Sequence, residues 1–293
     1  MPRPRREVQE IVEMHLRERD LQQEVFVEGL EDKRFYGTFL ESQGLGRVAV
    51  LDVDTVDIPI ERLAEFKLTE GKKNRVLALA ALLEGKVREN QVVCIADADT
   101  DHFRGTTYPF SLLLITDYTS IELYALCPPV IERILKVGLQ GFPKTPEQVV
   151  NELRLLLVDA FLVRVAAEDL ALNHSYPKHS SFCSVDEKTG VVALNLDEYA
   201  NKAFECNTDK NWRLKLKSHL EGLRKRLNPD PRYQMRGHDF QATFAWYVRQ
   251  HKGYGNLNAD TVSSLLLGFI DAETLRGELL FQEILRRLSR ETA

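Results

Sequence analysis

The chain has no uninterrupted apolar stretch approaching the roughly 20 residues that a membrane-spanning helix requires. Its N-terminus, Met1-Pro2-Arg3-Pro4-Arg5-Arg6, leads into charged residues and not into the apolar core of a signal peptide. A cytoplasmic protein with no membrane partner is therefore the expectation. Cysteine is scarce: Cys94, Cys127, Cys183 and Cys206 are scattered with no Cys-x-x-Cys pair, which suits reduced thiols better than a disulfide framework. No Gly-x-x-x-x-Gly-Lys-Ser/Thr string occurs, so the chain is not expected to hydrolyse ATP by itself. Internal repeats and low-complexity segments are absent too. Asp97-x-Asp99-x-Asp101 imitates the start of an EF-hand loop, but His102 stands where that loop needs glycine and Tyr108 where it needs glutamate, and the reading fails.

What is present is a 293-residue chain, 44% apolar, long enough for two domains each with a core. Two acidic clusters stand directly behind apolar runs: Val25-Phe26-Val27-Glu28-Gly29-Leu30-Glu31-Asp32 and Val92-Val93-Cys94-Ile95-Ala96-Asp97-Ala98-Asp99-Thr100-Asp101. A short β-branched run without polar alternation reads as a strand covered on both faces, as in a parallel α/β sheet, where ligands bind beyond the carboxyl ends of the strands. Like charges gathered there would raise one another's pKa, whereas a hard divalent cation turns their repulsion into binding. Cys94 simply packs inside its strand.

The patterning predicts an amphipathic helix over 7–20, then strands at Leu21–Val27, Arg47–Leu51, Gln91–Ala96 and Ser111–Thr116. Helices alternate with them at Asp32–Leu40 and Asn74–Leu83, the second ending near Gly85. Ser120 is expected to cap a further helix from Ile121 that Pro128-Pro129 stops. Alternation of this kind is βαβ logic and implies a largely parallel sheet over 1–140. From 141 to 293 a mostly helical second domain is expected, with helices at Pro146–Leu172, Trp212–Leu227, His238–His251 and Asp260–Leu288, the last broken near Asp271. A hairpin through Phe182–Leu196 turns at Lys188-Thr189-Gly190.

Charge is unevenly shared. Asn211–Lys252 holds ten Lys or Arg residues against three acids, so the rest of the chain is more acidic than the net charge of -5 suggests. The Trp212 helix sets Leu216, Leu220, Leu223 and Leu227 in one stripe and Arg213, Lys217, Arg224 and Lys225 largely off it; that basic face either guides a polyanion or is merely solvated. Lys72 and Lys73 follow Gly71 at a predicted helix start, a place suited to phosphate, though paired lysines are often only solvated.

Other chemistries compete. Leu51-Asp52-Val53-Asp54-Thr55-Val56 matches the Asp-x-Asp-x-Thr/Val start of haloacid-dehalogenase-type phosphatases, with Thr116 as a further hydroxyl, although no later strand ends in the paired aspartates such a site needs. His174, His179 and Cys183, with Cys206 downstream, are suitable zinc ligands at a spacing that fits no compact zinc motif. Glu28 and Asp32 would also serve as negative charges at a helix N-terminus.

The order and spacing of Val27-Glu28-Gly29 with Asp32, followed by Asp97-Ala98-Asp99, resemble the Toprim family, the magnesium-dependent domain of topoisomerases, primases and overcoming-lysogenization-defect (OLD) nucleases. The resemblance covers about residues 21–126. Glu28-Gly29-x-x-Asp32-Lys33, Gly71-Lys72-Lys73-Asn74, Asp117-Tyr118 with Ile121-Glu122, and Arg236-Gly237-His238-Asp239 look closer still to the Toprim effector subunits of PARIS antiphage systems. The resemblance implies a parallel-sheet Toprim domain followed by a helical accessory domain. It implies Glu28 as acid or base, Asp97 and Asp99 as ligands to magnesium or manganese, and Asp32, Glu122 and Asp101 as further ligands. It also implies an ABC-type ATPase partner that restrains the effector, dimerisation on release, and cleavage of RNA, in the relatives transfer RNA. A catalytically idle scaffold that docks an ATPase is the competing binding-module reading.

Overall fold

In the computed structural model, residues 5–17, 23–186, 188–209, 211–251, 253–254 and 258–289 are described. The elements begin with β1 (Arg6–Glu7), α1 (Val8–Arg17), β2 (Glu24–Val27), α2 (Leu30–Ser42), β3 (Ala49–Asp52), β4 (Val56–Asp57), α3 (Ile60–Glu65), α4 (Lys72–Leu83) and β5 (Val92–Ala96). They continue through α5 (Asp101–Arg104), β6 (Leu113–Ile115), α6 (Pro128–Arg133), α7 (Pro146–Asp169), β7 (Cys183–Val185), β8 (Val192–Leu194) and α8 (Leu196–Ala203). The last are α9 (Trp212–Arg224), α10 (Gly237–Arg249), α11 (Ala259–Gly268), α12 (Ala272–Arg276) and α13 (Leu279–Leu288). Residues 18–20 of the expected first helix and 21–22 of the expected first strand lie outside the described residues.

The chain forms two compact units, and neither is one continuous stretch. One comprises 1–98, 107–117 and 272–293; the other comprises 99–106 and 118–271. The boundary expected at 140/141 falls inside the second unit, and 272–293, expected in the second domain, belongs to the first, because chain-local composition does not register which distant segments pack together.

The first unit is an α/β structure around a four-stranded sheet in the order β3-β2-β5-β6, parallel throughout. β2 and β5 are buried along their whole length, as their unbroken apolar runs require. Phe26, Val92, Cys94 and Ala96 face a core shared with Ile11 and Val12 of α1 and Val76–Ala80 and Leu83 of α4. Elsewhere in the unit Phe35, Tyr36 and Phe39 of α2 close around Phe281 of α13, with ring centroids 4.8 to 6.0 Å from it. This aromatic cluster ties the C-terminal segment to the first unit. Chain order runs from β2 outward to β3 and then returns past β2 to β5. The topological switch point therefore lies between β2 and β5, where a parallel sheet opens its ligand-binding crevice.

The second unit is mostly helical, with the antiparallel pair β7-β8 in the expected hairpin. Its long helix α7 starts in a capping box, the Thr145 hydroxyl accepting from Gln148 N–H and the Gln148 side chain returning to Thr145 N–H. The α-helix expected from Ile121 does not form. Ile121–Ala125 forms only a 3-10 turn, and Pro128-Pro129 opens α6 instead of ending a helix. Proline at the first helical position gives up no hydrogen bond and arrives with its φ preset, so the same residue that stops one helix starts the next.

Candidate active site

Every strand of the first unit's sheet delivers a carboxylate at its C-terminal end. Asp52 is the last residue of β3, Glu28 follows β2, Asp97 follows β5, and Asp117 stands two residues beyond β6. Glu28 and Asp97 flank the switch point directly, and the Glu28 Oε1 accepts the backbone N–H of Asp97 at 2.8 Å. This bond is possible because β2 and β5 are parallel neighbours in a register that pairs Phe26 with Cys94, so both strands run out at the same level. Both side chains are half-buried.

Gly29 is the N-cap of α2 and offers no side chain to the exposed N–H groups behind it. Asp32, in the first turn, carries its carboxylate over Gly29, where a Cβ would lie 3.4 Å from its Oδ2 and 3.7 Å from the Lys72 Nζ. Negative charge is favoured at that helix end. Lys72 reaches Asp54 at 3.2 Å and Asp52 at 3.7 Å. Partial burial would lower its pKa, but the hydrogen bond to Asp54 and the charges of Asp52, Asp54 and Asp32 raise it. Lys73 donates to the Ala98 carbonyl at 3.0 Å, holding the Asp97-Ala98 end of β5 by its backbone. The paired lysines thus serve acidic side chains and backbone oxygen within this unit. Thr116 supports the same loop, its Oγ accepting the Ala98 N–H at 2.9 Å.

Sequence reasoning missed Tyr36 at this edge. Burial pushes its phenol well above the usual value, and the charges of Asp97, Asp32, Asp117 and Glu28 push it further in the same direction. Four carboxylates therefore act on one hydroxyl. The signal was available: Tyr36 lies one helical turn beyond Asp32 on a helix the pattern already showed. Asp117, which the resemblance alone singles out, stands just behind a strand like the other acids.

The remaining expected residues lie in the second unit. Asp99 is exposed, has the left-handed φ of 50°, and donates its N–H to Thr119 O at 2.8 Å. Asp101 is buried in the first turn of α5. Glu122 is buried in the turn before α6, 3.5 Å from His238 Nδ1 and against Gly237 at the start of α10. On α9 Leu216, Leu220 and Leu223 of the apolar stripe are buried, while Leu227, beyond the helix, is half-buried; Arg213, Lys217, Arg224 and the C-cap residue Lys225 are exposed. Two of them are engaged locally: Arg213 donates to Asn201 at 2.7 Å and Arg224 to Asp159 at 3.0 Å.

The positions of the side chains bear on the phosphatase and zinc readings. Asp52 and Thr116 end opposite edge strands of the sheet, three strand spacings or about 14 Å apart, too far to act on one phosphoryl group. Asp52 also spends its carboxylate on the Asp54 N–H, capping the 3-10 turn Val53–Thr55. For zinc, His179 is buried with its Nδ1 at 3.0 Å from the Thr243 hydroxyl and 3.9 Å from Cys183, while His174 pairs with the Leu172 carbonyl and Cys206 is exposed.

Among the described residues no group of three or more His, Cys, Asp or Glu side chains is drawn together tightly enough to hold a metal ion. The donors at the first unit's acidic edge are nevertheless all hard carboxylate oxygens, the set suited to magnesium or manganese and unsuited to soft metals. A cavity of about 800 Å³ opens at the other end of this sheet, lined among others by Gln23, Glu84, Arg88, Glu89 and Arg286, and includes none of these carboxylates. No described helix is long and apolar enough to cross a membrane. The chain matches no protein-family model, and a search of curated proteins returns no match.

Proposed function

We propose that the chain is a Toprim-type phosphodiester hydrolase that cuts nucleic acid with the help of magnesium or manganese. The observation that carries this reading is the contact of the Glu28 carboxylate with the Asp97 N–H across the switch point of a parallel sheet. It joins the two acidic clusters that stand far apart in sequence, at the position where such sheets bind ligands.

In this reading Glu28 moves the proton, as acid or base, and Asp97 is a cation ligand with Asp32 as a further one. Asp99, two residues along the chain, is the second ligand that the family resemblance assigns. A bound divalent cation supplies charge neutralisation at the phosphate and lowers the pKa of an attacking water. Lys72 and Lys73 keep the acidic strand ends in place. The exposed basic residues of α9 and its C-cap, above all Lys217 and Lys225, are the proposed contacts to the nucleic acid backbone.

The biological setting rests on the resemblance to PARIS effectors. It is that of a toxic antiphage effector restrained by an ABC-type ATPase, dimerising on release and cutting RNA, with transfer RNA the first substrate to try.

Glu28→Gln separates chemistry from structure, because the amide oxygen still accepts the Asp97 N–H while the proton-transfer group is gone. Purified variant should keep its melting temperature and lose manganese-dependent cleavage of transfer RNA and plasmid by about 100-fold or more. Cleavage at the wild-type rate would reject the proposal and leave the scaffold reading.

A further inference from the structure

One polar side chain at the acidic edge has no use in the chemistry proposed so far. Tyr36 is 1% exposed, and its hydroxyl has no hydrogen-bond partner among the described residues. The ring is held by packing alone: Phe35 meets it edge-on at 5.4 Å, and Phe281 stacks on it at 5.8 Å with 26° between the planes. Its orientation is therefore decided by aromatic contacts and not by any bond of the hydroxyl. A buried hydroxyl left unpaired is costly compared with a paired one, and the few that occur in folded proteins call for a reason.

The surroundings supply one. Asp32 lies one turn earlier on the same helix, while Glu28 and Asp97 end the two strands beside the switch point. All are acceptors once ionised, and the phenol is a donor wherever it keeps its proton. Burial first, and then the charges of Asp97, Asp32, Asp117 and Glu28, keep that proton on the oxygen. The hydroxyl is thus a protonated donor, held in place by the packing of its ring, within the field of four carboxylates.

We propose that Tyr36 is a positioning residue of the acidic site, its hydroxyl becoming the inner hydrogen-bond donor to the Asp97 carboxylate when the carboxylates gather on a divalent cation. The inference rests on the nuclease reading of the same edge. Carboxylates that bind metal ions are themselves oriented by outer donors, and removing one such donor lowers metal affinity or activity by about 10–100-fold. Tyr36 fills that role from the interior side, where neither solvent nor substrate competes for the bond.

The test compares the whole wild-type chain with Tyr36→Phe, which keeps the ring and its packing on Phe281. Manganese binding is measured by calorimetry, and thermal unfolding is followed in chelator. The variant should unfold in chelator at the wild-type temperature or slightly above it, since a hydroxyl without a partner has been removed. Its manganese dissociation constant should rise about 10–100-fold, and the manganese concentration for half-maximal cleavage should rise by a similar factor. Equal manganese affinity in the two proteins overturns the role of Tyr36 and leaves the nuclease reading standing. A variant that unfolds several degrees lower in chelator overturns it as well, by assigning the hydroxyl to stability. A wild-type chain that binds no manganese overturns both.

Discussion

The carboxylate of Asp117, just beyond β6, accepts the backbone N–H of Leu280 at 3.1 and 3.2 Å from its two oxygens. The N-terminus of α13 is thereby fastened to the same sheet edge that carries Glu28 and Asp97, and the next residue, Phe281, is the ring on which Tyr36 stacks. The C-terminal helix is in this way part of the construction of the acidic edge.

Asp117→Ala removes the acceptor and leaves the first turn of α13 without its negative charge. A loss of about 1 kcal/mol in stability is expected, with Asp117→Asn retaining part of it. Amide exchange at Leu280 and along α13 should accelerate in the alanine variant. Unchanged protection there would show that the aromatic cluster alone holds the helix.

At the N-terminal end of β2, Glu24 is buried and receives Arg6 at 2.7 Å and the His15 Nε2 at 3.2 Å. Burial by itself would raise the Glu24 carboxyl, but the hydrogen bonds to His15 and Arg6 outweigh it and hold the group below the usual carboxylate range. A depressed folded-state value means that the ionised form stabilises the fold. That contribution is complete above the ordinary glutamate titration range and is lost as pH falls through the depressed value. Glu24→Gln should cost about 1.5–3 kcal/mol at neutral pH, and the gap to wild type should narrow on acidification through that window. Denaturant unfolding from pH 7 to 3 measures both; a gap that stays constant would refute the assignment.

Gly237 opens α10 with its Cα turned toward Ser120 and Glu122, so that a Cβ would overlap the Ser120 Oγ and the Glu122 carboxylate. Both neighbours are buried and have little room to yield. Gly237→Ala should destabilise the chain by about 1–3 kcal/mol, as overpacking does. Glu122→Ala in the same background should recover part of the loss, because the two sites share one contact. Additive melting-temperature losses in the double variant would sink this account.

Much of the first unit is legible in the sequence because its signals are local. The runs Val25-Phe26-Val27 and Val92–Ala96 announce buried strands, and the breaks after them locate Glu28 and Asp97 within a residue. The helices at α2, α4, α7, α9 and α10 follow from apolar spacing and lie within a few residues of expectation. Two shorter helices, α3 and α8, carry too few turns for such spacing to register. β1 and β4 escape for another reason: each is two residues long and exists only through its partner. Glu122 shows the same limit at a site residue, since nothing near it in sequence reveals that Gly237 and His238 will close over it.

The chain's amino-acid order alone determined that acids would stand at the ends of buried parallel strands, because strand formation and strand polarity are read from neighbours a few residues apart. Only the tertiary structure decided that β2 and β5 are adjacent, which brings Glu28 to the Asp97 N–H, and that β3 and β6 are opposite edges, which separates Asp52 from Thr116. It also decided that α13 returns to this sheet edge, bound by Asp117 and stacking Phe281 on Tyr36. The physical reason is that strand order and the docking of a terminal helix are set by how much apolar surface each non-local pairing buries, a quantity that no stretch of chain contains by itself.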